Sequence, residues 1–201
     1  MAGKNLVIIK IRPLKIVWNK ILQETFHISD VYRIFLLTKF GGIYLDDDVV
    51  LLKSHSDLFD AKNLPIVAEE SAASLANGFM MVPPSSDIFL KWLVEYKTFS
   101  SRNKIIGLNS VLKLWCFWQQ YPQEIRVIKN KMIRPNWKEK GLLLYGKFDW
   151  SEHYNIHLNQ RFVRPMLDYF NISLDFNSIN SLDTSFGEII RLALYGNYQK
   201  C

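Results

Sequence analysis

The sequence predicts an α/β fold. Three observations support this prediction: short runs of β-branched residues, intervening segments with helical spacing, and turn residues at most of the boundaries. The chain has 201 residues, of which 49% are hydrophobic, and this is enough to bury one sizeable core. Because the sequence shows no internal repeat and no low-complexity stretch, we expect a single domain over residues 1–201.

The first half of the chain is predicted to contain four strands and two helices. Residues 6–11 are a β-branched run that ends before Pro13, which is typical of a buried strand. Residues 14–22 and 30–39 have the apolar spacing of helices, and Ser29 is a good N-cap for the second of them. The other strands are short apolar runs bounded by glycine, proline or polar residues: 43–45, 64–68 and 77–82. Residues 49–52 are also apolar.

The second half is predicted to contain both element types and one long loop. Two amphipathic helices and two short strands are expected, at residues 87–96, 109–121, 124–128 and 142–145. The polar stretch 177–184 has the composition of a loop. Ser185 and Glu188 then form a capping box at the start of a last apolar helix.

Charge and composition argue against two classes of partner. The net charge is +6, but no lysine- or arginine-rich run is present, so we do not expect a nucleic-acid partner. No apolar run reaches the roughly 18–20 residues that a membrane span requires. The two cysteines, Cys116 and Cys201, could pair, but they lack the number and spacing of a zinc site.

Three consecutive carboxylates, Asp46, Asp47 and Asp48, follow the predicted strand at 43–45. On an extended strand, Asp46 and Asp48 would point to the same side about 7 Å apart, where they could share a hard divalent cation such as Mn²⁺ or Mg²⁺. Such a cation would neutralise a departing diphosphate. The alternative is that these aspartates only form a turn at the strand end.

A second charged pair strengthens the functional interpretation. Asp30 and Arg33 lie three positions apart, on one face of the predicted helix. Gly41 and Gly42 end that helix and turn the chain towards Tyr44 and the acidic triplet. We therefore expect a guanidinium and several carboxylates near one strand end.

Residues 29–53, SDVYRIFLLTKFGGIYLDDDVVLLK, closely resemble the signature of glycosyltransferase family 32, whose members carry a DXD motif. Three later segments are most similar to the animal α-1,4-galactosyltransferase and α-1,4-N-acetylglucosaminyltransferase branch: NGFMMVPP at 77–84, LKLWCF at 112–117 and HYNIHL at 153–158. The resemblance implies a GT-A-like, Rossmann-related fold for a nucleotide-sugar transferase.

The resemblance also implies a reaction. A hexose or N-acetylhexosamine would move from a UDP-sugar donor to a glycan or glycolipid acceptor, with retention at the anomeric carbon and with Mn²⁺ (or Mg²⁺) as cofactor. The Golgi lumen would be the location, although the sequence shows neither an anchor nor a signal.

Catalytic and metal-binding roles follow from the resemblance position by position. Asp46 would contact the donor ribose or sugar, and Asp48 would bind the metal. His157, in the HYNIHL segment, would complete a metal site with these two aspartates, although a lone histidine is often structural. Asp30 and Arg33 would bind hydroxyl groups of the donor sugar.

Further residues would line the donor pocket by the same resemblance. Tyr44 would lie against the donor, and Asn77 and Gly78 would border the donor and acceptor sites, although Asn-Gly is also a good turn. Glu69 and Glu70 could be acceptor-side carboxylates, and the alternative is that both are solvated surface residues.

The chain departs from the family pattern in two places. Only 28 residues precede Ser29, so we expect an N-terminally truncated domain without the first strand of the fold. A Gly-Pro step expected near residues 107–110 is replaced by GLNS. These departures leave open a catalytically inactive relative that acts as a binding or regulatory protein. A weaker alternative is a phosphate-transferring or hydrolytic enzyme with Asp46 as nucleophile, but Val49 and Val50 lack the hydroxyl group that it would need.

Overall fold

The computed structural model describes residues 7–59, 61–100, 107–169, 172–173 and 175–196. The strands are β1 (Ile16–Val17), β2 (Lys20–Ile21), β3 (Gly42–Leu45), β4 (Val49–Leu51), β5 (Ile66–Ser71), β6 (Ser74–Val82), β7 (Arg126–Ile128) and β8 (Asn155–His157). The helices are α1 (Thr25–Phe40), α2 (Asp87–Glu95), α3 (Val111–Gln120), α4 (Gly141–Leu144), α5 (Gln160–Tyr169), α6 (Phe176–Ser181) and α7 (Ser185–Tyr195). Short 3₁₀ turns cover Ser56–Leu58 and Tyr96–Thr98.

The largest sheet is mixed and has the strand order β3-β6-β5-β7. β6 pairs antiparallel with β3 and β5, whereas β5 and β7 run parallel. A separate antiparallel ladder joins β4 to β8 and places Val49 opposite His157. Helices pack against strands throughout, so the predicted α/β fold class is confirmed.

The alternation of side chains along β6 supplies two of the three apolar clusters. Met80 and Val82 pack with α1, α2 and α3 on one face of the sheet, where Ile34 and Trp92 are fully buried. Phe79 and Met81 face the opposite side, in the second cluster. A third cluster joins β8 to the helices of the C-terminal part, with members including Ile156, Val163, Phe186 and Ile189.

Helix α1 ends where the sequence predicts. Gly41 adopts φ 66°, and its N–H bonds to the carbonyl oxygen of Leu37. A Cβ atom at Gly41 would lie 2.6 Å from Pro84, so both the left-handed backbone and the close contact require glycine. The start of α1 differs from the prediction, because Glu24 precedes the helix and Ser29 lies within it.

Residues 14–22 contain the β1–β2 hairpin instead of the predicted helix. The two turn residues, Trp18 and Asn19, have φ values of 46° and 60°, as a two-residue mirror-image turn requires. The strand predicted at residues 6–11 is also wrong over its described part. Residues 7–11 are exposed and lie in no strand, whereas Leu6 lies outside the described residues.

The C-terminal part is more helical than predicted. Residues 142–145, expected as a strand, fall largely in α4, and the expected loop 177–184 contains most of α6. Thr184, and not Ser185, caps α7, because its hydroxyl group accepts the Gly187 N–H. Strand β8 and helix α5 were not predicted. In the part of the chain that the structure describes, no helix has the length and apolar character to cross a membrane.

Candidate functional site

Arg33 is the centre of the first half of the site. It projects from α1 and is only 6% exposed. Its Nη1 atom lies 3.2 Å from Asp46 Oδ1 and donates a hydrogen bond to the Asn77 carbonyl oxygen at 2.8 Å. Its Nε atom lies 3.5 Å from Asp30 Oδ1. One guanidinium therefore connects α1, β6 and the residue that follows β3.

Tyr44 supports both Arg33 and Asp46. The Arg33 guanidinium carbon lies 4.4 Å from the centre of the Tyr44 ring, and the Tyr44 hydroxyl group donates to Asp46 Oδ1 at 2.6 Å. Burial raises the pKa of Tyr44 to about 12, so the phenol stays protonated and donates this bond at neutral pH. Asp46 is thus fixed by a hydrogen bond from Tyr44 and an ion pair with Arg33, while its own N–H donates to the Gly78 carbonyl oxygen at 2.8 Å.

Asp30 is a buried carboxylate with two neighbours on its Oδ1 atom. It is 6% exposed, and the side-chain amide of Asn77 donates to Oδ1 at 2.8 Å. Burial raises the pKa of Asp30 to about 6 despite the opposing effect of Arg33, and the negative charge of Asp46 adds to the increase. Asp30 is therefore charged at neutral pH only at a cost in folding stability.

Replacing Asp30 with asparagine should reduce the pH dependence of folding stability. Because the pKa of Asp30 is about 6 in the folded chain and ordinarily 3.8, the folded state binds the proton more tightly. The stabilisation that comes from this tighter proton binding is complete below pH 3.8 and is lost as the pH rises through 6. The free energy of unfolding that is lost in this way corresponds to about 3 kcal/mol.

Urea unfolding of the wild type and Asp30→Asn at several pH values measures this effect. The difference in free energy of unfolding between the two proteins should change between pH 4 and pH 7, with the wild type losing more stability. Parallel curves over that range would contradict a buried, weakly acidic Asp30.

The second half of the site is built by Asp48 and His157. The β4–β8 ladder brings them together, and His157 Nε2 lies 2.9 Å from Asp48 Oδ1. The backbone N–H of Gln160 donates to Asp48 Oδ2 at 2.9 Å. Burial works to raise the pKa of Asp48, but the contacts with His157 and Gln160 together hold that pKa below its ordinary value. Asp48 is therefore ionised at neutral pH.

The acidic triplet is arranged differently from the predicted strand alternation. β3 ends at Leu45, and Asp47 and Asp48 lie in the turn before β4. The turn still brings Asp46 and Asp48 together, because one ligand atom from each, and one from His157, lie within 4.8 Å of one another. The metal ligand set expected from the resemblance is therefore assembled in space.

Two observations show that these residues suit a divalent cation. Two carboxylates and an imidazole are donors that Mn²⁺ accepts. His157 Nδ1 is buried without a hydrogen-bond partner among the described residues. A Cβ atom at Gly78 would lie 2.9 Å from Asp46 Oδ2 and 3.1 Å from His157 Nδ1, so glycine leaves the space between these ligands open.

Replacing Gly78 with alanine should therefore disrupt the cation site. The added methyl group would push Asp46 and His157 apart, and we expect Mn²⁺ affinity to fall by about tenfold or more, with a smaller effect on folding. Isothermal titration calorimetry with Mn²⁺ measures this change. Gly146→Ala is the matched control, because a Cβ atom there meets nothing within 4 Å. Equal Mn²⁺ affinities in the two variants would contradict the proposed ligand arrangement.

Two further charged residues lie beside this site, of which the sequence analysis named Glu70 as a candidate acceptor-side carboxylate and missed Lys140. Glu70, for which a solvated surface position was the alternative, is partly buried at the end of β5. Burial raises the pKa of Glu70, His157 and Lys140 lower it, and Asp46 raises it. The apolar run before Glu70 was a usable signal, since it showed that a buried strand leads directly to this residue.

The missed residue is Lys140, which is only 2% exposed. Its ammonium group donates to the His157 carbonyl oxygen at 3.1 Å. Burial lowers the pKa of Lys140 to about 8, and Asp48, Glu70 and Glu139 oppose that decrease. The surrounding sequence, KEKG, resembles an ordinary charged surface segment and gives no signal of burial.

Comparison with known proteins supports the resemblance in the region of the DXD motif. Residues 11–70 match the family model described as a glycosyltransferase sugar-binding region containing a DXD motif. Five of the residues assigned to the site lie within this match: Asp30, Arg33, Tyr44, Asp46 and Asp48.

Two curated proteins are similar to the chain. Glucan organizing enzyme 1 of Cryptococcus neoformans var. grubii is 25% identical over an alignment 201 residues long, and the alignment covers 93% of this chain and 53% of that protein. An uncharacterized protein of Arabidopsis thaliana is 35% identical over 80 residues, which cover 39% of this chain and 12% of that protein. The chain thus spans about half the length of the first relative. No solved structure gives a significant match.

The animal α-1,4-transferase branch is not confirmed by these matches. The mixed sheet and its flanking helices are consistent with a GT-A-like glycosyltransferase domain. Taken together, the family match over residues 11–70 and the distant relative show that the chain is similar to glycosyltransferases, with the similarity to the family model confined to the region of the DXD motif.

Proposed function

We propose that the chain is a metal-dependent glycosyltransferase that moves a hexose or N-acetylhexosamine from a UDP-sugar to a glycan or glycolipid acceptor, with retention. The main support is the convergence of ligand atoms from Asp46, Asp48 and His157 within 4.8 Å, next to the Arg33 network. Arg33 and both aspartates belong to the matched sugar-binding region.

Asp46, Asp48 and His157 would hold the cation. A divalent ion bound there supplies a Lewis acid that neutralises the charge of a departing diphosphate. Arg33 and Tyr44 hold Asp46 in one orientation, and Gln160 does the same for Asp48 through its backbone N–H. These contacts fix the carboxylates before any ligand binds, which lowers the cost of organising the site.

Asp30 and Asn77 would contact the donor sugar. Among the described residues, the contacts of Asp30 are made through Oδ1, which leaves Oδ2 to accept a hydrogen bond from a sugar hydroxyl group. Arg33 is occupied by Asp46, Asn77 and Ser29, so its role in this proposal is to orient neighbours. Because retention needs no carboxylate nucleophile if the acceptor attacks from the leaving-group side, positioning and charge stabilisation suffice.

The acceptor class and the location are proposed from similarity to other proteins. The name of the Cryptococcus relative refers to glucan, so glucan oligosaccharides belong among the acceptors to test. A location in the Golgi lumen is proposed from the sequence resemblance alone.

The test is a UDP-release assay. Purified protein is incubated with Mn²⁺, a panel of UDP-sugars and oligosaccharide acceptors, and we expect Mn²⁺-dependent release of UDP with one donor. Thermal unfolding with UDP and Mn²⁺ measures binding separately. Binding without release would favour the inactive relative. Neither binding nor release would contradict the proposal.

A further inference from the structure

Lys140 is a buried cation for which the proposed reaction has no role. It directly precedes α4, and only 2% of the residue is exposed. Within the described part of the chain, its ammonium group makes one hydrogen bond, to the His157 carbonyl oxygen at 3.1 Å. No carboxylate of that part lies within 4 Å of this ammonium group. Burying a charge with so few direct partners costs folding free energy, and this cost indicates that the position has a function.

The groups around Lys140 are those of the candidate cation site. Its ammonium group interacts electrostatically with Asp48, Glu70 and Glu139. Glu70 in turn interacts with Asp46 and with His157. Lys140 therefore contacts the strand that carries the imidazole, and its charge acts on Asp48, one of the three candidate ligands.

A fixed positive charge at this place has opposite effects on two ligands. It repels a divalent cation that arrives alone, because two positive charges then share a site of low dielectric constant. It attracts a diphosphate, whose negative charge compensates both the cation and the ammonium group. A cation that arrives with a diphosphate is therefore favoured over a bare cation.

We propose that Lys140 is a positioning residue that sets this preference, holding the His157 strand through its carbonyl group and biasing the site towards a cation–diphosphate complex. The inference rests on the proposed function, since the diphosphate would be that of the sugar nucleotide. It adds a residue that lies outside the matched sugar-binding region.

Lys140→Met tests the proposal, because methionine fills a similar volume without charge. Isothermal titration calorimetry at pH 7 measures the affinity for Mn²⁺ alone and then for UDP at saturating Mn²⁺. We expect Mn²⁺ alone to bind about tenfold tighter and UDP to bind about tenfold more weakly than in the wild type. Loss of a purely structural contact would weaken both.

Three further variants separate charge from packing. Lys140→Arg keeps the charge and should restore both affinities towards wild-type values. Glu70→Gln removes a nearby negative charge and should weaken binding of Mn²⁺ alone, the reverse of Lys140→Met. Lys147→Met removes an exposed cation that pairs with Asp183 and Glu188, and it should change neither affinity.

Unchanged or weaker Mn²⁺ binding by Lys140→Met would overturn the inference. If Lys140→Met does not fold, Glu70→Gln decides, and an unchanged Mn²⁺ affinity in that variant would also overturn it. The wild-type protein reports on the proposed function separately. Failure of the wild type to bind either Mn²⁺ or UDP would reject that function, whereas wild-type binding without the opposite shifts would reject only the role of Lys140.

Discussion

Replacing Asp48 with asparagine is expected to lower Mn²⁺-dependent UDP binding by about 100-fold or more and to abolish UDP release. Asparagine keeps the shape of the side chain but removes the charge that a cation requires and weakens the contact with His157 Nε2. Calorimetry with Mn²⁺ and UDP measures the binding, and the UDP-release assay measures the reaction.

The matched control is Asp47→Asn. Asp47 is the neighbouring carboxylate of the same turn, but it is exposed and does not belong to the cluster of Asp46, Asp48 and His157. We expect its replacement to leave Mn²⁺ affinity within about twofold of wild type. Similar losses in the two variants would show that the net charge of the turn matters, and not a defined cation site.

Arg33→Met should produce the largest loss of stability. Without the guanidinium, the Asp30 carboxylate would be left buried with no cation beside it, and Asp46 would lose its ion pair. Leaving a buried charge unpaired costs about 3–5 kcal/mol, and transfer activity should be lost as well. Urea unfolding monitored by circular dichroism measures the change in stability.

Two comparisons identify the cause of that loss. Adding Asp30→Asn to Arg33→Met should recover part of the stability, because the unpaired carboxylate is then removed. Lys39→Met, which removes an exposed cation from the same helix, should change stability by less than about 0.5 kcal/mol. If Arg33→Met unfolds at the same urea concentration as Lys39→Met, the Arg33 network contributes nothing to folding.

The part of the fold that could be predicted depends on local signals. Helix α1 and strands β3, β5 and β6 are marked by apolar spacing, and the glycine pair Gly41–Gly42 marks the boundary between α1 and β3. Residues 14–22 misled the prediction because their apolar positions suit a helix, while the hairpin is decided by Trp18 and Asn19 in a left-handed conformation. Helix α5 was missed because Pro165 lies inside it.

The residues of the candidate site also differ in whether local sequence signals could group them. Asp30, Arg33, Tyr44 and Asp46 could be grouped from the sequence because helical spacing and one turn connect them. The partner residues of Asp48 could not be deduced in this way, since Gln160 is 112 residues away and the β4–β8 ladder must form first. Lys140 gave no signal, because burial of a charged residue depends on what packs around it.

The β4–β8 ladder determines the stage of folding at which the candidate cation site forms. Because a long loop must close before a contact between such distant segments contributes, we expect this ladder to form late in folding. During synthesis, the acidic turn emerges from the ribosome long before His157 does. The nascent chain therefore acquires full affinity for any ligand of this site only after β8 has paired with β4. We expect such a ligand to stabilise the folded chain without assisting the first steps of folding.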